Sequence, residues 1–459
     1  MPNLLSRRAF DLFLGARRKP LESLPGPRPG IFGSVGDFLG GTPPWHVCAR
    51  YGREYGGVTL IWLPGGPALV LNDPGLIEQV LGSRRYEFEK GSLAEQQFTP
   101  AITTHSLVVA RLNGNWGALR RADPLEQPWS ADWVAAQVEP MRAVTSDMLD
   151  AYVGKGTTDL TPVLRRLTFD ASSVAVVGQK VPDAVFDDFM LLSETTQERL
   201  DTNLPLALVS LSRDFEAARE RFYRHFIDRV RAARQRPEPN GVDLLSRTLR
   251  EMPAIDDERL AYNLALFLFG GTFSASTALV GAFHQLQKYP EAERRLAAEA
   301  ASLGSGRWTR ERLDGAHWVE AVILESLRIL PPVRILIRTP VADVQFAGVT
   351  LPRGTKIIIS NQYLHHDPEH WTHPDTFEPA RWLDGGKERD PLHSGHFFPF
   401  GRGPRACVAA PFAMMFMRTA LAAIAARAKV HVDSTEPFGE ELLFGVIRPK
   451  GVTGRFVRR

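Results

Sequence analysis

A single cysteine near the carboxyl end of the chain stands in a setting that suits an anionic sulfur ligand. Cys407 follows the turn Phe400-Gly-Arg-Gly-Pro-Arg405 and precedes an apolar run that favours helix from Ala410. The two glycines allow positive φ and a close approach to a ligand, and Phe400 adds a flat apolar face. Amides at a helix start favour a thiolate. A free cysteine is most often a small buried hydrophobe, but this loop favours a ligand.

The residues around Cys407 resemble the heme-binding signature of the cytochrome P450 family, Phe-x-x-Gly-x-Arg-x-Cys-x-Gly. Phe400, Gly403, Arg405 and Cys407 match this signature, whereas Ala409 stands where its last glycine is usual. The resemblance implies heme b (iron protoporphyrin IX) as the cofactor, with Cys407 as the thiolate ligand of the iron. Such a ligand donates electron density and promotes O–O cleavage.

Two further motifs follow the order that the family shows. Glu325 and Arg328 lie three residues apart, hence on one helical face, and the paired prolines Pro331 and Pro332 end that helix. Alone, these two residues would be an ordinary surface ion pair. The resemblance implies that Arg381 joins them in a buried structural network behind the heme.

Four side chains match family positions that bind the heme propionates. Trp116 and Arg120 lie four residues apart and can point the same way along a helix. The resemblance adds Arg338 and Arg405, which gives three guanidinium groups for two carboxylates, a geometry that suits bidentate binding. A single arginine is most often exposed to solvent, but the joint placement of these residues favours a role at the heme.

The stretch from Leu264 to Phe283 contains no charged residue and is long enough to cross a bilayer. Small and hydroxyl residues crowd its centre, beginning with Gly270 and Gly271, and the rest of the chain has a soluble pattern. A helix that is apolar all round also fits the interior of a large protein. We therefore predict a buried central helix.

The central helix departs from the family at the place where protons are usually relayed in the oxygen reaction. The usual pattern is Ala/Gly-Gly-x-Asp/Glu-Thr, but here Phe273 replaces the acid and Ser274 the threonine. The glycines fit a local widening that makes room for oxygen. The expected catalytic residues are Ser274, Gly271 and Thr277: Ser274 orders a water, Thr277 assists, or a substrate hydroxyl supplies the missing donor.

The resemblance also outlines a substrate pocket with mostly apolar side chains. Its expected residues are Leu107, Val108, Phe269, Phe273, Val333, Ile335, Leu336, Leu443 and Phe444. This lining favours a lipophilic substrate. Arg334 could bind a substrate carboxylate, although an arginine there more often faces solvent or the heme edge.

Hydrophobic periodicity predicts a mainly α protein with a minor β portion. Helices are predicted over 131–152, 183–201, 211–234, 256–288, 290–303, 310–330 and 410–426, and β-hairpins over 58–71 and 349–359. The resemblance implies the cytochrome P450 fold, with the heme between the long central helix and the proximal cysteine loop.

The ends of the chain suggest one folded body. Residues 1–24 mix arginines into short apolar runs, so this arm lacks the uninterrupted apolar core of a signal peptide or transmembrane anchor. It is either solvated or rests on a membrane surface. Prolines then mark a boundary, and we expect a single domain over 25–459 with no fused reductase.

Composition excludes some partners. A net charge of +3 on 459 residues, without a basic run interleaved with aromatic residues, argues against a nucleic-acid partner. Two cysteines do not make a disulfide framework, which favours a reduced, cytoplasmic protein. The resemblance to soluble bacterial members implies a separate ferredoxin or flavodoxin with its reductase, and Arg402 and Arg121 could attract such an acidic partner.

These observations favour a heme-thiolate monooxygenase that uses O2 to oxidise a lipophilic small molecule from secondary, terpenoid or fatty-acid metabolism. Two alternatives remain. The altered central helix would also suit a peroxide-driven or non-oxygenating enzyme, and a non-catalytic heme-thiolate sensor would share the same cofactor site. Substrate-dependent electron consumption, product formation from peroxide, or ligand binding without product would distinguish the three.

Overall fold

The computed structural model describes residues 21, 23–27, 34–39, 42–63, 66–90, 101–102, 130–201, 212–383, 395–443 and 445–459. The chain divides into two compact units, each built from several segments. The first unit comprises Met1–Leu93, Val333–Thr376 and Asp390–Cys407, and the second comprises Ala94–Pro332, Phe377–Arg389 and Val408–Arg459.

The α-helices of the described residues are, in chain order, α1 Val35–Leu39, α2 Pro44–Tyr55, α3 Pro74–Glu78, α4 Ala131–Ala136, α5 Val138–Tyr152, α6 Leu160–Val177, α7 Asp183–Asp201, α8 Arg213–Gln235, α9 Leu244–Glu251, α10 Asp257–Lys288, α11 Pro290–Ser302, α12 Arg310–Asp314, α13 His317–Ile329, α14 Asn361–Leu364 and α15 Ala410–Arg427. A π-helical turn covers Gln79–Ser83, and short 3₁₀ turns cover Arg85–Glu87, Pro379–Trp382 and Gly403–Arg405.

The strands are β1 Val58–Leu63, β2 Gly66–Leu71, β3 Phe88–Glu89, β4 Thr158–Asp159, β5 Ile335–Pro340, β6 Val344–Phe346, β7 Val349–Leu351, β8 Lys356–Ser360, β9 Ala428–Val432, β10 Gly439–Leu443, β11 Val446–Lys450 and β12 Thr453–Arg458. The predicted mainly α architecture with a minor β portion is confirmed.

The first unit is organised around a five-stranded sheet with the order β1-β2-β8-β5-β3. Strands β1 and β2 form the predicted hairpin, with Val58 opposite Leu71. Alternate residues of the central strands serve two separate cores, because the side chains of a strand point to opposite faces. Leu69 and Ile357 belong to one core, and Val70 and Ile358 belong to the other.

The second predicted hairpin, over 349–359, was wrong in its pairing. Strand β7 pairs instead with β6 through a tight turn in which Ala347 and Gly348 both have positive φ. Strand β8 runs parallel to β2 and antiparallel to β5. Its run of three isoleucines is buried on both faces, which is typical of a strand in the interior of a sheet.

The second unit is mainly helical, and the long helix α10 lies at its centre, in contact with α6, α8, α13 and β11. Of the described residues, only α10 is long and apolar enough to cross a membrane, and 78% of its most apolar window is buried in the protein. The prediction of a buried central helix is therefore confirmed. Two other predicted helices are divided, at Gln137 between α4 and α5 and at Gly315 between α12 and α13.

Helix α6 was not predicted, although 15 of its 18 residues are buried. Arg165, Asp170 and other polar residues interrupt its apolar pattern, so no clear helical period shows in the sequence. The Asp159 side chain accepts a hydrogen bond from the amide of Thr161 at the start of the helix, and Gly178 ends it with a φ of 79°. These caps fix the helix that packs along α10.

Candidate functional site

The loop before Cys407, in the first unit, is held by a series of backbone hydrogen bonds. The amide of Cys407 donates to the carbonyl oxygen of Phe400 at 2.8 Å, and the amide of Ala406 donates to that of Gly403 at 2.9 Å. The amide of Gly401 donates to the oxygen of Phe398, also at 2.9 Å. Cys407 is not in a disulfide and is exposed. The loop therefore presents its sulfur outward from a fixed backbone.

Two glycines are required by the shape of this loop. Gly401 and Gly403 have φ values of 72° and 71°, in the left-handed region that glycine adopts readily. A Cβ on Gly403 would also lie 1.9 Å from the carbonyl oxygen of Leu81, in the π-helical turn. Gly401 has no such close neighbour, since its nearest contact would be Ala406 at 3.8 Å. Close packing of the loop against the Gln79–Ser83 turn thus depends on Gly403.

The same unit brings two arginines and a lysine near Cys407. Burial and the charge of Arg405 lower the pKa of Arg338 to about 10. The pKa of Lys90 falls to about 7, because its ammonium is desolvated and is repelled by Arg338 and Arg405, while the charge of Cys407 opposes this shift. A bound anion would favour the charged forms of these neighbouring cations.

This arrangement fits the heme group that the resemblance implies. The two heme propionates would supply the negative charge that Lys90, Arg338 and Arg405 favour, and the exposed thiol of Cys407 would supply the sulfur ligand of the iron. Arg338 and Arg405 come from the sequence prediction. Lys90 does not, because a lysine directly after a two-residue strand carries no local signal of its role.

Five predicted site residues lie outside the described part of the chain. They are Trp116, Arg120, Leu107, Val108 and Phe444. Arg121, which was expected to attract the redox partner, also lies outside it.

In the second unit, Gly270, Gly271 and Ser274 form a partly exposed polar surface at the centre of α10, which we call the notch. Ser274 Oγ donates a hydrogen bond to the carbonyl oxygen of Gly270 at 3.1 Å, and this part of the helix is partly exposed. A Cβ on Gly270 would meet no atom within 4 Å, whereas a Cβ on Gly271 would lie 3.2 Å from the hydroxyl of Ser172 on α6. Gly270 therefore opens the notch, and Gly271 allows close packing of α6 behind it.

The other hydroxyl expected to act with Ser274 has a different partner. Thr277 Oγ1 is buried and donates to the backbone oxygen of Ile447 on β11 at 2.6 Å. This bond ties the central helix to the sheet of the same unit. Its hydroxyl proton is already committed to that carbonyl.

The two phenylalanines of α10 that were predicted to line a substrate pocket are almost completely buried. Phe269 and Phe273 are 2% and 3% exposed, and both rings pack on Phe189 of α7, with centroid distances of 4.8 and 5.3 Å. Phe222 of α8 also contacts Phe269. The described contacts give these rings a packing role between helices, and any part in a substrate pocket stays a prediction.

The remaining pocket candidates are spread over both units. In the first unit, the carbonyl of Val333 accepts a hydrogen bond from Asn361, and Ile335 and Leu336 pack against the two cores of the sheet. Arg334 is buried, with its guanidinium carbon 5.6 Å from the ring centroid of Trp45. In the second unit, Leu443 is buried at the end of β10.

Helix α13 places Glu325 and Arg328 in the interior of the second unit. Arg328 binds both carboxylate oxygens of Glu325, at 3.0 and 2.8 Å, and neither side chain is exposed. Arg381 Nε donates to Glu325 Oε1 at 3.1 Å. The three residues that the resemblance implied to be linked therefore meet in one cluster.

Two further donors complete the hydrogen bonding of the Glu325 carboxylate. The indole N–H of Trp382 donates to Oε2 at 2.9 Å, and the amide of Glu378 donates to Oε1, also at 2.9 Å. A buried carboxylate with this many donors is compensated for its loss of water. The cluster joins α13 to the Pro379–Trp382 turn, which indicates a structural role.

Comparison with known proteins agrees with this reading. The sequence model of the family described as cytochrome P450 matches residues 24–451. A cyclooctat-9-en-7-ol 5-monooxygenase of Streptomyces melanosporofaciens is 29% identical over 77% of this chain and 78% of its own length. Cytochrome P450 3A29 of Sus scrofa is 24% identical over 87% of this chain and 83% of its own length.

The fold is shared with a solved structure. The crystal structure of a cytochrome P450DA heme domain matches 95% of this chain and 97% of that chain, with a TM-score of 0.82 and 19% sequence identity. This likeness establishes the fold that the resemblance implied.

Proposed function

Because the chain belongs to the cytochrome P450 family of heme oxidoreductases, we propose that it is a monooxygenase that inserts one atom of O2 into a lipophilic small molecule. The observation that carries this proposal is the exposed thiol of Cys407 on a fixed loop, in one unit with Lys90, Arg338 and Arg405. Heme b, when bound, supplies the redox chemistry that activates O2. Residues 25–459 form one functional domain in this proposal, as the nearly continuous family match supports.

Each residue near the heme has a distinct task in this proposal. Cys407 is the iron ligand, and Phe400 supplies a flat apolar face on the loop that carries Cys407. Arg338, Arg405 and Lys90 hold the propionates, together with Trp116 and Arg120, which the resemblance assigns to the same role. Charge-assisted hydrogen bonds to carboxylates are shorter and stronger than neutral ones, so these residues fix the orientation of the group as well as its affinity.

Proton delivery is proposed to depend on Ser274 Oγ. Its own proton is donated to Gly270 O, but its lone pairs remain able to accept a hydrogen bond from a water or a substrate hydroxyl. Gly271 holds the helix close to α6 so that the notch keeps its shape. Thr277 assists only by anchoring the helix to Ile447.

The substrate is proposed to be a terpenoid that carries a hydroxyl group. The relative from Streptomyces melanosporofaciens is named for an alcohol substrate of this kind. A hydroxyl near Ser274 would also supply the donor that Phe273 does not. Val333, Ile335, Leu336 and Leu443 are apolar and remain candidates for the pocket.

Electrons are proposed to come from a separate ferredoxin or flavodoxin with its reductase. Arg402 lies partly exposed on the loop that carries Cys407, where a positive charge would favour an acidic partner. A cytoplasmic location goes with this proposal.

The decisive experiment is spectroscopic. Purified protein is expected to contain heme b, and its reduced carbonyl complex is expected to show the strongly red-shifted Soret band of thiolate ligation. Cys407→His should abolish that band, and Cys48→Ala, at the buried second cysteine, should keep it. Retention of the band in Cys407→His would refute the assignment. Substrate-dependent consumption of reductant, with one oxygen atom from ¹⁸O2 in the product, then tests the reaction.

A second candidate function is favoured by Phe273, which stands where the family usually has an acid. An enzyme that takes peroxide as its oxidant would not need the same proton relay. Product formed from peroxide alone, with no product from the ferredoxin system, would select this alternative.

A further inference from the structure

Helix α6 places a buried arginine directly behind position 273 of the central helix. Arg165 is 8% exposed, and its guanidinium carbon lies 5.9 Å from the centroid of the Phe273 ring. Its Nη1 lies 3.5 Å from the sulfur of Met190. Within the described parts of the chain, no carboxylate lies within ion-pair distance of this guanidinium. The ring face and a weak sulfur acceptor are therefore its close contacts.

The charged groups around Arg165 leave it protonated at neutral pH. Burial, and next the charge of Arg448 on β11, lower its pKa to about 10, while Glu194 on α7 and Asp159 before α6 oppose the shift. Glu194 is itself bound to Arg448 Nη1 at 3.2 Å. The side chain at position 273 therefore faces the buried guanidinium of Arg165, which stays positively charged at neutral pH.

Positions 273 and 274 of α10 have different surroundings. The Phe273 ring is buried between α6 and α7, where it also stacks on Phe189 at an angle of 15° between the ring planes. Ser274 is partly exposed, and its hydroxyl donates to the backbone oxygen of the exposed Gly270. A carboxylate introduced at position 273 would therefore meet Arg165 rather than the notch at Ser274.

We propose that Arg165 is a positioning residue that keeps an acid at position 273 of α10 from delivering protons. The guanidinium would hold a carboxylate at position 273 ionised in a buried ion pair, so that the acid could not donate a proton near neutral pH. In the native protein, the Phe273 ring packs against the guanidinium of Arg165 and carries no proton. Proton delivery then depends on the partly exposed Ser274 Oγ. The inference rests on the proposed monooxygenase function, but its electrostatic part does not need turnover.

The first test measures stability against pH in the heme-loaded protein for Phe273→Glu and for the double variant Arg165→Met, Phe273→Glu. In Phe273→Glu, the ion pair lowers the pKa of the new carboxyl, so its contribution is present above the unfolded-state pKa and is lost as pH falls. In the double variant, burial raises the pKa of the new carboxyl. Stability therefore falls as pH rises from the unfolded-state pKa to the raised folded-state pKa. We expect the apparent Tm of the double variant to fall by about 3 °C or more between pH 5.5 and pH 8, and that of Phe273→Glu to hold or rise.

Two controls keep the first test decisive. Arg165→Lys combined with Phe273→Glu keeps the cation and should behave like Phe273→Glu. If the double variant does not fold, Phe273→Glu is compared with the isosteric Phe273→Gln at pH 8, where the ion pair should make the glutamate variant the more stable. The same pH dependence with and without Arg165, or a glutamine variant as stable as the glutamate variant, would overturn the proposal.

The second test measures product formed per reductant consumed across the same pH range. Without Arg165 the new glutamate can carry a proton, so the coupled fraction of the double variant should rise about two-fold as pH falls. Phe273→Glu with Arg165 intact should show no such rise. If the coupled fraction did not change with pH in either variant, Arg165 would have no part in proton delivery. Absence of product from every variant and from the parent protein would instead refute the proposed function, and the Tm measurement would still decide the charge assignment.

Discussion

Arg328 donates hydrogen bonds to both carboxylate oxygens of Glu325 in the interior of the second unit, with Nε 3.0 Å from Oε2 and Nη2 2.8 Å from Oε1. Neither side chain has any exposed surface. The sequence spacing alone would have suited a surface ion pair, whose contribution to stability is usually small. Burial changes the consequence of removing either partner, because the remaining charge cannot recover water.

Replacement of Glu325 by alanine is expected to cost about 3–5 kcal/mol of unfolding free energy, since Arg328 and Arg381 would both lose their buried acceptor. Heme content should fall together with stability in urea unfolding. The matched control is Glu291→Gln, which removes an ion pair with Arg294 that is exposed on both sides, and it should change the free energy by less than about 0.5 kcal/mol. A stable, heme-loaded Glu325→Ala protein that merely turned over slowly would contradict the structural role.

Heme affinity is expected to depend on pH through Lys90. Its pKa of about 7 in the heme-free protein should rise when the propionates bind, so binding takes up a proton and affinity falls as pH rises above about 7. Lys90→Met should weaken heme binding about ten-fold at pH 7 and remove this pH dependence, whereas Lys90→Arg should keep the affinity without the dependence. The measurement is transfer of heme to an excess of acceptor protein at pH 7 and pH 9. An equal pH dependence in all three proteins would remove Lys90 from the propionate site.

The two glycines of the cysteine loop are expected to differ in their tolerance of alanine. Both substitutions place a Cβ at positive φ, with a cost of about 1–2 kcal/mol. Gly403→Ala also drives that Cβ into the carbonyl of Leu81, so it should lose most of its heme, whereas Gly401→Ala should keep the red-shifted carbonyl band. Heme per protein after purification decides between them. Similar heme content in both variants would show that the loop moves away from Leu81 at little cost.

Ser274→Ala is expected to affect coupling according to the substrate. A native substrate with its own hydroxyl should show a mild loss, and an analogue that lacks this group should release several times more peroxide than product. Ser276→Ala is the matched control, because that hydroxyl donates to Phe273 O on the buried side of the helix. Reductant consumed, peroxide released and product formed are measured for each pair. Equal damage with both substrates would refute substrate-assisted delivery and make Ser274 the whole relay.

The sequence by itself determined those parts of the protein whose chemistry is local. The glycines, the aromatic residue and the cysteine of the 400–407 loop lie within a few residues of one another, so their order already describes the loop. Long helices such as α8 and α10 were found because their residue patterns and their N-terminal caps, Ser212 and Asp256, act over short distances. Hydrogen bonding and backbone sterics decide such features before distant parts of the chain meet.

Only the tertiary structure decided which distant residues share an environment. Lys90 became a member of the cation group because the end of β3 lies near Arg338 and Arg405, and its own neighbours give no sign of this. Arg165 came to lie behind Phe273 because α6, which the sequence did not predict, is buried along α10. Strand β8 pairs with β2 and β5 rather than with β7, and this position buries its isoleucines in the two cores of the sheet. In each case the deciding term is desolvation, which depends on what covers a side chain rather than on what precedes it in the chain.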